Sequence, residues 1–528
     1  MKRLLLAVLF LSPLESNAVE QKRLVYGENT KITNMDPYTA NESAAHRLSD
    51  LVFESLVTTG PGGSYEPLLA KSWIIENGGT SVHVKLKDKV FWHKEASNAL
   101  KPLTAEDVAS TIKAITNPKS TIPNGERFKV LKSTEVLSQK SIRIHFSRAL
   151  AQPLKYLMFK VLPFHKLESA EALTKEHTLS QHPIGTGPFA FASTNPQGEV
   201  LLKRNNFYHG KLADIKEIVM KPFIDNSIMT QSLMYSSLDL VTYISPRDIK
   251  EVSGDRNLGL VPYDAQSFSF VAMNQKNPLL KDKRVRQAIN YAVNRQEMLN
   301  AFFQGKGHLI TGPFSPTSWA YNLSVPGYEM DLERARGLLK QAGFEDRNND
   351  GVVENRKGKT LTLDFAVPLA GESEVTKRIV LAYQSYLAKA GIRVKLKFMD
   401  WVLWKEEVLG KHNYDLSIAS WDFDDSSNIS SLFHSQSAKS WGNNFVNFKN
   451  SNVDSMLTEA SASNDFDKRQ AIYKKLHSII SDEAPYTFLW TLQHHAGHQK
   501  RIRGVRIEPF SFFKHVAYWK VNRNHGRK

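Results

Sequence analysis

Apolar positions recur along this chain with two periods, and between residues 361 and 398 the two follow one another. Leu361, Leu363, Phe365 and Val367 alternate with other residues, which is the period of a strand. From Thr376 to Ala390, the residues Ile379, Val380, Tyr383 and Leu387 share one helical face, and Gly391 stands where a C-terminal cap belongs. Ile392, Val394, Leu396 and Phe398 then alternate again. The spacing predicts a β-α-β unit with parallel strands and a right-handed crossover. Three further helices announce themselves by their starts. Asp282 is placed to cap one with Val285, Ala288, Ile289, Ala292 and Val293 apolar, and Asp331 another with Leu332, Ala335, Leu338 and Leu339 apolar and Gly343 at its end. Thr104 and Asp107 form a capping-box start for a helix through Ile115. Strand-like runs at 81–86, 268–273 and 485–492 alternate irregularly with these helices, so the expected class is α/β.

Length and composition add the organisation. At 528 residues the chain exceeds what one core fills, and two or three domains are expected. Lys2 and Arg3 precede an apolar run at 4–14, and Ser16-Asn17-Ala18 supplies small residues before Val19, the layout of a cleaved secretory signal over 1–18. Cysteine is absent, which excludes disulfides and a lipid-modified Cys after the signal. An exported, disulfide-free protein without a lipid anchor is expected in a periplasm. The formal net charge is +16, but Lys and Arg are interleaved with acids throughout, so a solvated basic surface is expected rather than nucleic-acid binding.

Several motifs carry less chemistry than they suggest. Asp346-Arg347-Asn348-Asn349-Asp350-Gly351 imitates the start of a calcium loop, yet its twelfth position is Lys357, where a bidentate Glu is required. His494 and His498 would lie about 13 Å apart on one face of a strand, too far for one metal. Gly358-Lys359-Thr360 lacks the glycine spacing of a P-loop. Gly185-Thr186-Gly187 before Pro188 suits a tight backbone crossing, and Arg284 and Arg286 suit internal salt bridges. No spacing joins Ser, His and Asp into a triad, so no catalysis is expected.

The motifs that do accumulate run in one order: Asn34-Met35-Asp36-Pro37-Tyr38, Pro67-Leu68-Leu69-Ala70-Lys71-Ser72-Trp73, Phe91-Trp92-His93, and His182-Pro183-Ile184-Gly185-Thr186-Gly187-Pro188-Phe189. The densest is residues 282–295, Asp282 to Arg295, and the segment 421–433 closes the series. Together, over about 24–506, they resemble the extracytoplasmic solute-binding proteins (family 5) that serve ABC importers for oligopeptides, dipeptides and nickel. The resemblance implies a two-lobed Venus-flytrap fold with an extra domain in the first lobe. Lobe I would combine 19–55, 180–270 and 490–528, with the insertion at 56–179, and lobe II would span 271–489. Such a protein would act as a monomer without a cofactor, close about a hinge on a peptide held between its lobes, and present it to the importer's permease subunits.

By the same resemblance Ala419-Ser420-Trp421-Asp422-Phe423-Asp424 matches the family's aromatic-x-x-Asp pattern, in which the acid meets the peptide α-amine. Asp424 would then be the ammonium partner and Trp421 an aromatic wall. The chain departs from the family at Ser427-Asn428, so Asp422 and Asp425 stand as alternatives. Lys377 and Arg378, at the start of the helix after the Val367 strand, are candidates for the ligand carboxylate. A metal chelate, haem or an oligosaccharide are other ligands for the same fold, and a secreted hydrolase is the reading from another class.

Overall fold

The computed structural model describes residues 22–522 apart from 41, 61–62, 95–98, 124, 167–171, 175–176, 370–373, 424–426, 464 and 509–510. The expected signal at 1–18 and the acids Asp424 and Asp425 lie outside the described residues. The chain divides into two compact units, one of Met1–Thr58, Tyr65–Tyr263 and His495–Lys528, the other of Thr59–Ser64 and Asp264–His494.

The first unit opens with β1 (Arg23–Glu28) and α1 (Ser43–Val52). It continues into an antiparallel sheet of β2 (Ala70–Glu76), β3 (Ser81–Leu86), β4 (Leu131–Ser138) and β5 (Ser141–Phe146), in the order β2-β3-β5-β4. Val82, Val84, Ile142 and Ile144 alternate into its buried face, and α2 (Ala105–Ile115) packs on the same sheet. The expected capping box is formed, since Thr104 and Asp107 each satisfy the other's free backbone N–H. Beyond it, β6 (Phe189–Thr194), β7 (Val200–Arg204) and β8 (Glu217–Pro222) make an antiparallel meander. β1 lies between β8 and β9 (Leu240–Val241), parallel to both.

Gly185 and Gly187 carry the chain past the end of α1. A Cβ on Gly185 would stand 1.9 Å from the Val52 carbonyl oxygen, and one on Gly187 2.4 Å from that of Leu51. The close approach is held by Gly187 N–H donating to Val52 O at 2.9 Å, and on its other side Gly185 O accepts from His93 N–H at 2.9 Å. The backbone-crossing reading of these glycines is what the structure displays.

The second unit is built on β10 (Ser267–Met273), α3 (Lys283–Ala292), β11 (Thr362–Leu369), α4 (Glu374–Lys389), β12 (Arg393–Asp400), β13 (Leu416–Asp422) and the start of β14 (Tyr486–Gln499). The strand order is β12-β11-β13-β10-β14. β11 and β12 are parallel in continuous register from Thr362↔Arg393 to Leu369↔Asp400, as the β-α-β pattern requires. Leu363, Phe365 and Val367 point into one core with Val380, Tyr383 and Leu387 of α4 and the apolar face of α3. Asp282 caps α3 by accepting from Arg284 N–H. Arg284 pairs with Asp282 at 2.6 Å, while buried Arg286 donates to the carbonyls of Leu280, Lys281 and Glu483, so both arginines serve the fold. β14 ends in the first unit, where Gly497 and His498 pair with β9.

Candidate functional site

β11, β12 and β13 run parallel, so their C-terminal ends, Leu369, Asp400 and Asp422, emerge on one side of the second unit. Ligands of open α/β sheets gather at such ends, because the loops that follow the strands are free to vary there.

β13 is the most distinctive of the three. It pairs with β10 along its whole length, from Leu416↔Met273 to Asp422↔Ser267. Its other edge pairs with β11 only at Leu416↔Phe365 and Ser417↔Ala366 among the described residues. Pro368 offers one reason: it has no backbone N–H to continue the ladder. Ile418 to Asp422 therefore extend beyond their β11 partners, one edge secured by β10 and the other without a neighbouring strand among the described residues.

Burial declines along this extension, with Ile418 buried, Ala419 and Trp421 half-buried, and Ser420 and Asp422 exposed. Beneath Trp421 lies an aromatic core. Its ring is nearly parallel to Phe270 with centroids 6.3 Å apart and lies 5.8 Å from Phe445, while Phe270 stacks on Tyr486 at 4.1 Å. The indole N–H points to the Tyr486 hydroxyl at 3.4 Å, a long contact. Burial raises the Tyr486 phenol well above its ordinary value and keeps it neutral. The indole is thus fixed from below with part of its surface left to solvent, the arrangement that lets an aromatic serve as a wall. Phe423 leaves the strand by stacking on Phe268 at 5.1 Å, which anchors the chain directly before Asp424.

At the end of β12 the Asp400 side chain caps a short helical turn, Trp401–Trp404, by accepting from Val402 and Leu403 N–H. Trp404 is buried and donates to Ser417 Oγ of β13 at 2.9 Å. Trp401 stacks on it at 4.9 Å but remains 45% exposed, beside exposed Phe398, Val402 and Leu403. Sequence reasoning missed this apolar group. Its signal was the run Trp401-Val402-Leu403-Trp404, directly after a strand and too apolar for an ordinary solvent-facing loop.

The two cation candidates have partners elsewhere. Lys377 pairs with Glu374 of its own helical turn at 3.7 Å, and the Arg378 guanidinium lies 5.4 Å from the Phe302 ring. No contact found for either joins it to Trp421 among the described residues. A cavity of about 480 Å³ in the same unit runs from the N-terminal end of β13, at Asn274, Asn277 and Asp415, past the Asp364–Lys397 ion pair to Met399 at the end of β12 and Leu403 just beyond it.

Comparison with known proteins gives this geometry its setting. The profile of "Bacterial extracellular solute-binding proteins, family 5 Middle" matches residues 64–443. The oligopeptide-binding protein AppA of Bacillus subtilis (strain 168) is 25% identical over 503 residues, covering 94% of this chain and 91% of that one. The AppA structure in complex with a nonapeptide superposes with a TM-score of 0.71 over 94% of this chain and 98% of that chain. Heme-binding protein A of Haemophilus influenzae is also 25% identical, covering 88% of this chain and 86% of its own length. The profile match takes in β2 to β13 with their helices, and with it this chain belongs to the family 5 bacterial extracellular solute-binding proteins.

Proposed function

We propose that the chain captures a peptide and delivers it to the permease subunits of an ABC importer. The peptide would lie as an extended strand against Ile418 to Asp422, its backbone hydrogen-bonding to the edge of β13 that β11 leaves unpaired. Backbone pairing supplies affinity common to all peptides and leaves selectivity to nearby side chains. Trp421 would form a wall for the first ligand residues, and Asp424, two residues beyond the strand, would receive the α-amine, with Asp422 and Asp425 as alternatives. Lys377 or Arg378 would meet the carboxylate only by giving up the contacts they now make. The ligand leaves unaltered, and the protein works as a monomer in the periplasm after loss of residues 1–18.

The observation that carries this reading is the five-residue extension of β13 past its last β11 pair, ending in a half-exposed Trp and an acid-rich segment. The 25% identity to an oligopeptide-binding protein over nearly the whole chain supports it. Similarity at the same level to a heme-binding protein supports haem as the second reading. Mass spectrometry of small molecules released on denaturing the purified protein, with calorimetry on mixed di- to nonapeptides and haemin, separates the two. Released peptides and a saturable peptide isotherm are expected. Haemin binding with no peptide heat would replace the first reading by the second, and peptide turnover would sink both.

A further inference from the structure

The positive charge is not shared evenly. The first unit carries 41 Lys and Arg against 27 Asp and Glu, whereas the second carries 28 against 26, so almost the whole excess sits on the first. Within that unit one surface combines unpaired amines with exposed apolar side chains. Phe207, Leu212 and Tyr518 are 43%, 46% and 57% exposed. The Lys94 ammonium lies 4.7 Å from the Phe207 ring, and Lys211 lies 3.9 Å from that of Tyr518. Lys520 is exposed close by, where with Lys22 it holds the Asp214 carboxyl below its usual value. Lys94 and Lys211 form no ion pair with a carboxylate among the described residues, while Lys520 shares the field of Asp214 with Lys22.

The loop that displays this surface is anchored from within. Tyr208 Oη donates to buried Glu54 at 3.0 Å, and His209 Nε2 meets the same carboxylate at 2.9 Å. Asn205 Nδ2 donates to Gly187 O, and Arg204 donates to Ala213 O, closing the loop on both sides. Phe207 and Leu212 are therefore held outward by a fixed frame. An exposed apolar side chain under an ammonium group suits a boundary at which rings enter the acyl region and amines meet anionic headgroups.

We propose that this surface of the first unit, Lys94, Phe207, Lys211, Leu212, Tyr518 and Lys520, docks the protein on an anionic phospholipid bilayer. A member of an extracellular family meets the outer face of the cytoplasmic membrane, and charge complementarity sets its orientation on that face. Residence there confines ligand-loaded protein to the plane in which a membrane importer is found.

The test is co-sedimentation of the purified full chain with vesicles of phosphatidylglycerol and phosphatidylcholine in equal parts, or of phosphatidylcholine alone, at low and high salt. Binding is expected to the anionic vesicles only and to fall with salt. The pairs Lys94→Gln with Lys211→Gln and Phe207→Ala with Leu212→Ala should each lower partitioning about tenfold. Lys357→Gln with Lys359→Gln, the same charge change on the second unit, should leave it unchanged. Matched thermal melts exclude unfolding as the cause. Equal binding to both vesicle types, wild-type binding by the patch variants, or an equal loss in the second-unit control would overturn the proposal. So would full vesicle binding by the Phe207 and Leu212 variant with displacement by an oligonucleotide, the behaviour of a general polyanion binder.

Discussion

Replacing Gly185 by alanine tests whether the Gly185-Thr186-Gly187 crossing locks the first unit or touches the solute. An added Cβ would stand 1.9 Å from Val52 O, 2.7 Å from Val52 C and 3.2 Å from Phe53 Cα, all backbone atoms that no side-chain rotation can move aside. Relief to an ordinary contact of about 3.4 Å requires the two segments to part by about 1.5 Å. That displacement breaks the backbone bond between them, Gly187 N–H to Val52 O at 2.9 Å, and strains the two that tie Gly185 to His93, His93 N–H to Gly185 O at 2.9 Å and Gly185 N–H to His93 Nδ1 at 3.2 Å. Breaking or straining these buried hydrogen bonds, each worth about 1 kcal/mol, and leaving groups unsatisfied gives an expected loss of about 3–5 kcal/mol. Gly337→Ala is the control, because it sits inside the helix Leu332–Gln341 with nothing within 4 Å of the new Cβ and should gain about 0.5–1 kcal/mol. Urea denaturation with matched slopes measures both. A Gly185→Ala protein within 1 kcal/mol of wild type would refute the locking argument, and one that also lost its ligand would return the glycines to the binding site.

Three further outcomes are expected. Burial lowers the imidazoles of His93 and His477 to about 4 from an ordinary 6.5, so the unfolded chain binds protons that the folded one refuses. Their contribution is complete above about pH 6.5 and declines as pH falls towards 4, costing about 2 kcal/mol per histidine by pH 5. Denaturation at pH 7 and 5 should show this decline, and a stability independent of pH over that range would contradict it. Trp421→Ala should weaken peptide binding at least tenfold in calorimetry, while Lys377→Ala, with its Glu374 contact on an exposed turn, should change affinity less than twofold. Asp424→Ala should cost about 2 kcal/mol of peptide affinity by leaving the ligand ammonium without its partner; an unaltered isotherm would move that role to Asp422 or Asp425.

How much of this was legible in the sequence depended on the range of the interaction. Capping at Thr104 and Asp282, and the strand-helix-strand pattern after Leu361, are decided by residues within a few positions of one another, and the structure shows them where the pattern placed them. The backbone crossing at Gly185 was readable because few side chains but hydrogen tolerate such proximity, although its partner, the end of α1, lies over 130 positions away. The short pairing of β13 with β11 was not readable. It arises from where β11 stops pairing, a property of two segments about 50 residues apart with no mark on β13 itself. The contacts of Lys377 and Arg378 were equally hidden, because Phe302 enters from a helix that no local pattern links to α4.

The same distinction explains how one sequence frame can accept different guests. An oligopeptide-binding and a heme-binding relative each share 25% identity with this chain over most of its length. In this chain the frame under the sheet is the aromatic layer of Phe270, Tyr486 and Phe445 beneath β13 and the core that joins β11 to α4. A strand edge offers backbone groups to any extended ligand, so it selects little by itself. On the proposed peptide reading, selectivity would reside in side chains that reach past the frame. Trp401, Val402 and Asp422 meet that condition, being exposed at the ends of β12 and β13 while buried Trp404 and Ser417 hold the backbone in place. Substitutions at these three positions should therefore change which ligands are bound while costing stability, in urea denaturation, about 0.5 kcal/mol at Val402 and Asp422, and about 1 kcal/mol at Trp401, whose stack on Trp404 is lost. A loss several times larger at Trp401 or Val402 would place them in the frame instead.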